Sequence, residues 1–259
     1  MKNILTNISI HSSTLLFFLI SFLCGLFFQT FIFFLIIFIH EIGHALVANY
    51  YKWDIKQICF YPFGGLLKLD NELNKPIKEE FHILFGAYLF QIMLQLFILL
   101  LMLVNLLSIE TYHYISNINI SIMLFNLIPI MPLDGSKILN LFILMKFPFL
   151  KSYNINIFIS LILSTILLIS LFFLPFSASI FLFLCHLIYK TYEHHKNKKY
   201  IFNRFILERY LTEYHFNKRK TIKPDIRLFY RDYSHTINHK GTYISEKCFL
   251  TKLFSGKRS

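Results

Sequence analysis

Two histidines four residues apart, with a glutamate directly after the first, stand out in this chain as residues able to do chemistry: His40-Glu41-Ile42-Gly43-His44. On a helix, positions i and i+4 lie one turn apart on one face, so both imidazoles can share one divalent metal ion. Glu41 falls on the adjoining flank, where a carboxylate can take a proton from a metal-activated water. The pattern is a zinc-hydrolase signature. Two neutral imidazoles supply only half of a tetrahedral shell, so a third protein donor and a water must complete it. Glu110, His82, His186 and Asp134 are the candidates within or beside apolar stretches. Asp134 is the best placed of these. It follows Asn126-Leu127-Ile128-Pro129-Ile130-Met131-Pro132-Leu133, where the prolines distort the backbone, and Gly135 permits a tight turn that aims the carboxylate inward. With Zn²⁺ on His40, His44 and Asp134, Glu41 would act as general base and then general acid, and Asn126 could donate its amide to a developing oxyanion.

These groups must be positioned inside a very apolar chain. From Ser12 to Tyr51 the only His, Asp, Glu, Lys or Arg residues are His40, Glu41 and His44. That stretch is long enough to cross a hydrocarbon core of roughly 30 Å twice, with a turn near Gly25 to Gln29. Three ionisable side chains in a segment otherwise purged of charge need a compensating partner, and a metal ion is the simplest one. A polar segment from Lys52 to Glu80 follows, in which Ile58-Cys59-Phe60-Tyr61 and Leu66-Leu67-Lys68-Leu69 flank Pro62-Phe63-Gly64-Gly65. That reads as a short β-hairpin or re-entrant loop. Phe81 to Leu107 is a third span, joined by a connector up to Asn117 to a fourth from Asn119 to Phe147, broken by Pro129 and Pro132. Ile155 to Tyr189 carries no formal charge and divides at Pro175 into a fifth span and a short sixth. Phe202 to Tyr214 reads as a surface helix.

Of 259 residues, 56% are hydrophobic and only 15% charged, which excludes an ordinary soluble domain. The fold class expected is an all-α polytopic membrane protein of about six transmembrane helices, with a membrane-associated β-hairpin. Residues 1–190 would form the membrane core and 191–259 a basic cytosolic tail. A net charge of +12 raises nucleic acid as a partner, but the basic residues avoid every long apolar stretch and crowd beyond Lys190. Retention of basic loops in the cytoplasm explains that distribution without nucleic acid, and it puts both termini on the cytoplasmic side. Cys24, Cys59, Cys185 and Cys248 form no C-x-x-C pair and read as small apolar fillers. His194 and His195, beside Lys196, read as part of the solvated tail.

His40-Glu41-x-Gly43-His44, together with Asn126-x-x-Pro129-x-x-Pro132-x-Asp134-Gly135, resembles the site-2 protease family of intramembrane zinc metalloproteases. The resemblance implies His40, His44 and Asp134 as zinc ligands and Glu41 as the catalytic acid/base. Pro62-Phe63-Gly64-Gly65 looks like the family's membrane-entering hairpin, which would pair with an unwound substrate strand. Pro76-Ile77-Lys78-Glu79-Glu80-Phe81 and Arg204-Phe205-Ile206-Leu207-Glu208-Arg209-Tyr210 look like the sporulation branch of the family. That likeness implies a membrane-associated sigma factor precursor, pro-sigma-K, as substrate, in the mother-cell membrane around the forespore. Small membrane inhibitor proteins and oligomerisation would come with it. Two departures stand out. Relatives often place Gly-Pro where this chain has Gly86-Ala87, and longer members end in paired cystathionine β-synthase repeats, of which Phe229 to Phe254 could be a shortened remnant. The competing readings are a general site-2 protease cleaving an anti-sigma factor or signal peptide remnant, a metal transporter, and a non-catalytic metal-binding scaffold.

Overall fold

The computed structural model describes residues 8–62, 64–70, 72–173, 177–212, 214–216, 218–239 and 241–255. It divides into two compact units, one of Met1–Glu72 with Lys78–Asn126, the other of Leu73–Ile77 with Leu127–Ser259.

In the first unit a short strand β1 (Ile8–Ile10) leads into α1 (Ser12–Leu23) and then α2 (Phe27–Tyr50), so the expected turn is present. Strands β2 (Ile55–Tyr61) and β3 (Gly64–Leu69) pair antiparallel, the hairpin expected from the two runs that flank Pro62-Phe63-Gly64-Gly65. Phe63 itself lies outside the described residues. β1 adds in parallel beside β2, so the order is β1-β2-β3 and β3 is an edge. Helix α3 (Ile77–Leu103) follows, then α4 (Ile109–Asn126). The long connector expected up to Asn117 is therefore corrected: with no Gly or Pro between Ile109 and Asn117, the helix starts at Ile109, ten residues before the expected Asn119. Ile37 and Ala45 of α2 pack with Ile58 and Phe60 of β2, and Trp53 packs with Ala48 and Ile83, fixing the hairpin against α2 and α3. Trp53 Nε1 donates to Glu79 Oε2 (2.7 Å) at the base of the hairpin.

In the second unit the chain breaks at 127–133 and resumes as α5 (Asp134–Leu144), α6 (Phe149–Ser170) and α7 (Ala178–Leu211). Pro175, the expected divider of the last two, lies outside the described residues. The break needs other groups to bond its backbone, because the prolines remove two donors. Ser160 Oγ accepts from Met131 N–H (3.2 Å), and Thr191 Oγ1 donates to the Met131 carbonyl (3.1 Å). Ser160 belongs to a polar stripe on α6, Ser152-Asn156-Ser160-Ser164, at steps of four and with at most 1% of each residue exposed. Phe158, Ile162, Ile166 and Ile169 are exposed instead. This reverses the pattern of a soluble amphipathic helix and suits a lipid-facing exterior with small polar groups at helix contacts.

The surface helix expected over Phe202 to Tyr214 is corrected too. It is the continuation of α7, and Phe202, Phe205 and Ile206 are buried; Phe205 stacks on Phe149 at 4.1 Å between centroids. His194 likewise leaves the solvated tail, since its ring bonds Tyr153 Oη (3.0 Å) on α6. Beyond α7, β4 (Lys218–Ile222), β5 (Tyr233–His239) and β6 (Thr242–Ser245) form a sheet in that order, followed by α8 (Glu246–Phe254). Among the described residues the chain is thus mostly helical with two small sheets rather than all-α. α2, α3 and α6 are long and apolar enough to cross a membrane, by length and composition. α4 carries Glu110, Asn117 and Asn119, and α7 turns charged from Lys190, which lowers both below the hydropathy of those three.

Candidate metal centre

α2 presents His40, Glu41 and His44 within its C-terminal half, all three buried. The imidazole centroids lie 4.8 Å apart with the rings nearly perpendicular, as side chains one helical turn apart on one face can be. Each ring is held by α3. His44 Nδ1 lies 2.8 Å from the Ile83 carbonyl, and His40 Nδ1 lies 3.0 Å from Gln91 Oε1. Both oxygens can only accept, so both Nδ1 atoms carry the proton. In that tautomer the lone pair sits on Nε2, the form in which a histidine binds a metal while its other nitrogen bonds a carbonyl. The pair therefore fits a divalent ion.

Glu41 lies under the hairpin. Gly65 on β3 comes so close that a Cβ there would overlap Glu41 Cγ, so the edge strand runs directly over the carboxylate.

Asp134 is the first residue of α5 and is buried. Lys137, one turn on, donates to its Oδ1 at 2.9 Å. Gly135 is the second residue of α5 rather than part of the tight turn expected there, and it is pressed against the Leu127 carbonyl, where any side chain would overlap backbone. Asn126 ends α4 and is half-buried. The other donors weighed for the metal sit elsewhere: Glu110 in the first turn of α4, His82 on α3 bonded to Tyr51 Oη (2.8 Å), and His186 on α7.

Sequence reasoning missed Gln91 and Lys137. Gln91 had a legible signal, an amide four residues before Gln95 in an otherwise apolar span, which calls for a partner. Lys137 gave none, because an i,i+3 lysine is ordinary in a helix.

Residues 28–108, which include α2, the hairpin and α3, match the model of peptidase family M50. The chain is 36% identical over 177 residues to stage IV sporulation protein FB of Bacillus subtilis, covering 68% of this chain and 62% of that protein. It is 31% identical over 134 residues to a zinc metalloprotease of Methanocaldococcus jannaschii, covering 51% of this chain and 39% of that one. The matches thus span less than two thirds of either relative. A solved structure of a site-2 protease from Methanocaldococcus jannaschii superposes with a TM-score of 0.57 at 24% identity, over 72% of this chain and 89% of that one. The fold is shared. The segment that carries His40, Glu41 and His44 thus matches peptidase family M50, and the chain has the fold of a site-2 protease.

Proposed function

We propose that this chain is an intramembrane zinc metalloendopeptidase. The carrying observation is the pair of buried imidazoles locked in the metal-binding tautomer, with Glu41 beside them beneath an edge strand. His40, His44 and Asp134, all buried, are the donor set for the ion. Zinc, when bound, supplies a Lewis acid that lowers the pKa of a coordinated water from about 16 to roughly 7 and polarises a carbonyl. Glu41 takes the proton that the water loses as its oxygen attacks the scissile carbon. When the C–N bond breaks, Glu41 returns that proton to the leaving nitrogen, so one carboxylate serves both steps. Asn126 donates its amide to the oxyanion. The edge of β3 offers unpaired backbone groups to an extended substrate strand, which aligns the scissile bond over Glu41.

The substrate is a membrane-associated protein precursor cut at the cytosolic side, by the sequence resemblance a sigma factor precursor of the pro-sigma-K kind; the likeness to a stage IV sporulation protein supports a role in sporulation. The chain resides in the bilayer with about six crossings: α2, α3 and α6, joined by α1, the broken α4–α5 pair and the apolar first part of α7. Both termini are cytoplasmic, in the membrane that surrounds the forespore. Residues 191–259 form a cytosolic tail, and small membrane proteins that cover the substrate strand's place would inhibit.

Coexpression with a membrane-tethered sigma precursor tests this. Glu41→Gln should keep stoichiometric zinc and lose cleavage by about 10² to 10⁴-fold, the usual range for a general base. Asp134→Asn should lose zinc as well. Cleavage by the Glu41→Gln chain at the wild-type rate would remove the mechanism, and intact precursor beside an active protease would remove the substrate.

A further inference from the structure

The α3 helix offers no metal ligand in the donor set above, yet both histidine Nδ1 protons bond to it, at Ile83 and Gln91. Ile83 contributes a backbone carbonyl that any residue would supply. Gln91 contributes a side chain, so its identity matters.

Gln91 is completely buried, and its Nε2 has no hydrogen-bond partner among the described residues. Burying an amide NH₂ in that way is unfavourable. Leucine would fill similar space in this apolar helix without the penalty. What the carboxamide adds is an acceptor for His40 Nδ1–H.

The helix that carries it is held in rotation. Asn119 of α4, 1% exposed, donates from Nδ2 to the Gln91 carbonyl and to Gln95 Oε1, both at 3.1 Å. Gln95 Nε2 in turn donates to Ser116 Oγ (2.7 Å). On the opposite side, α2 and α3 approach backbone to backbone. A Cβ on Gly43 would lie 2.7 Å from Ala87 Cα, and one on Gly86 would lie 2.5 Å from Val47 Cγ2. Contact that close brings the imidazoles within reach of α3, and the amide seam with α4 stops α3 from turning Gln91 away.

We propose that Gln91 is a positioning residue for the metal centre. It holds His40 in the Nδ1-protonated tautomer with Nε2 aimed at the ion, and the Gln95–Asn119–Ser116 seam keeps it there. The inference rests on the zinc reading above. Loss of such a partner typically weakens metal binding by about 10 to 100-fold.

The test uses the full chain in detergent micelles, comparing wild type with Gln91→Leu and Gln91→Glu. Zinc affinity is measured by chelator competition, and the His40 tautomer by ¹⁵N NMR of the metal-free protein. Gln91→Leu should bind zinc about 10 to 100-fold more weakly and lose the Nδ1–H signature, while Gln91→Glu, which keeps an acceptor, should restore both. Wild-type affinity and tautomer in Gln91→Leu would overturn the proposal. Equal loss in both variants would overturn it as well, because the acceptor would then not be what matters. If wild type itself binds no zinc but keeps the tautomer, the zinc reading fails while the hydrogen bond stands; if wild-type His40 lacks the tautomer, the positioning role fails whatever the metal does.

Discussion

At Gly65 the hairpin approaches Glu41 so closely that a single methyl group would have to displace the carboxylate or the strand. Gly65→Ala is therefore expected to reduce turnover of a precursor by at least about tenfold, in line with the sensitivity of catalysis to small misplacements. Zinc content should stay at the wild-type level, because both imidazoles are held from α3. Metal analysis beside a cleavage assay separates the two effects. His40, Glu41, His44 and Asp134 stood out in the sequence as candidates because residues of these types at this spacing have few other uses inside a membrane. Gly65's relation to Glu41 did not, since no periodicity reports which strand position crosses over a distant helix.

The elements were legible where a signal acts over a long stretch. Apolar length marked α2, α3 and α6, and two short runs around a Pro/Gly turn marked the hairpin. Failures came where local polarity and helicity diverge. α4 begins at Ile109 although its first residues are polar, and α7 continues through a basic stretch to Leu211, because nothing there interrupts helical hydrogen bonding. The polar stripe on α6 went unread for a related reason: serine and asparagine every four residues look unremarkable until the neighbouring helix break is known to need donors and acceptors. Ser160→Ala would leave the buried Met131 N–H without its acceptor, and should cost about 1–3 kcal/mol of stability in detergent, read as a lowered Tm. Ser164→Ala, whose hydroxyl bonds the Leu161 carbonyl of its own helix, should cost less. Equal shifts in the two variants would mean that the break does not depend on that bond.

Over the whole chain, acid should act first on the tail. His235 is buried on β5, where its Nε2 accepts from Tyr230 N–H (3.0 Å) and its Nδ1 bonds Glu246 Oε2 (2.9 Å). Burial holds its pKa below 6.5; the Glu246 bond pulls the other way, and the Arg209 charge adds to the depression. The folded tail thus binds fewer protons than the unfolded one, so the stabilisation is complete above pH 6.5 and is lost as pH falls through the folded pKa. Glu246 is held below its usual range, the His235 bond and Arg209 outweighing burial, so its contribution is lost only further into acid. Asp232, raised by burial, works in the opposite sense. Hydrogen exchange at β5 amides, corrected for intrinsic rates, should show protection falling from pH 7 to 5, with the slope reduced in His235→Gln. The same tail holds the start of α3. Asn74 Nδ2 donates to the Phe205 carbonyl (2.9 Å), Arg231 Nε to the Lys75 carbonyl (2.8 Å), and Asp232 accepts from Ile77 N–H (3.2 Å) across a separation of 155 residues. At about 5–20 residues per second of synthesis, the ribosome needs roughly 8–30 s to get from Ile77 to its cap. The nascent chain therefore makes its histidine helix and hairpin well before the start of α3 can be fastened, and that fastening is among the last events of its biogenesis.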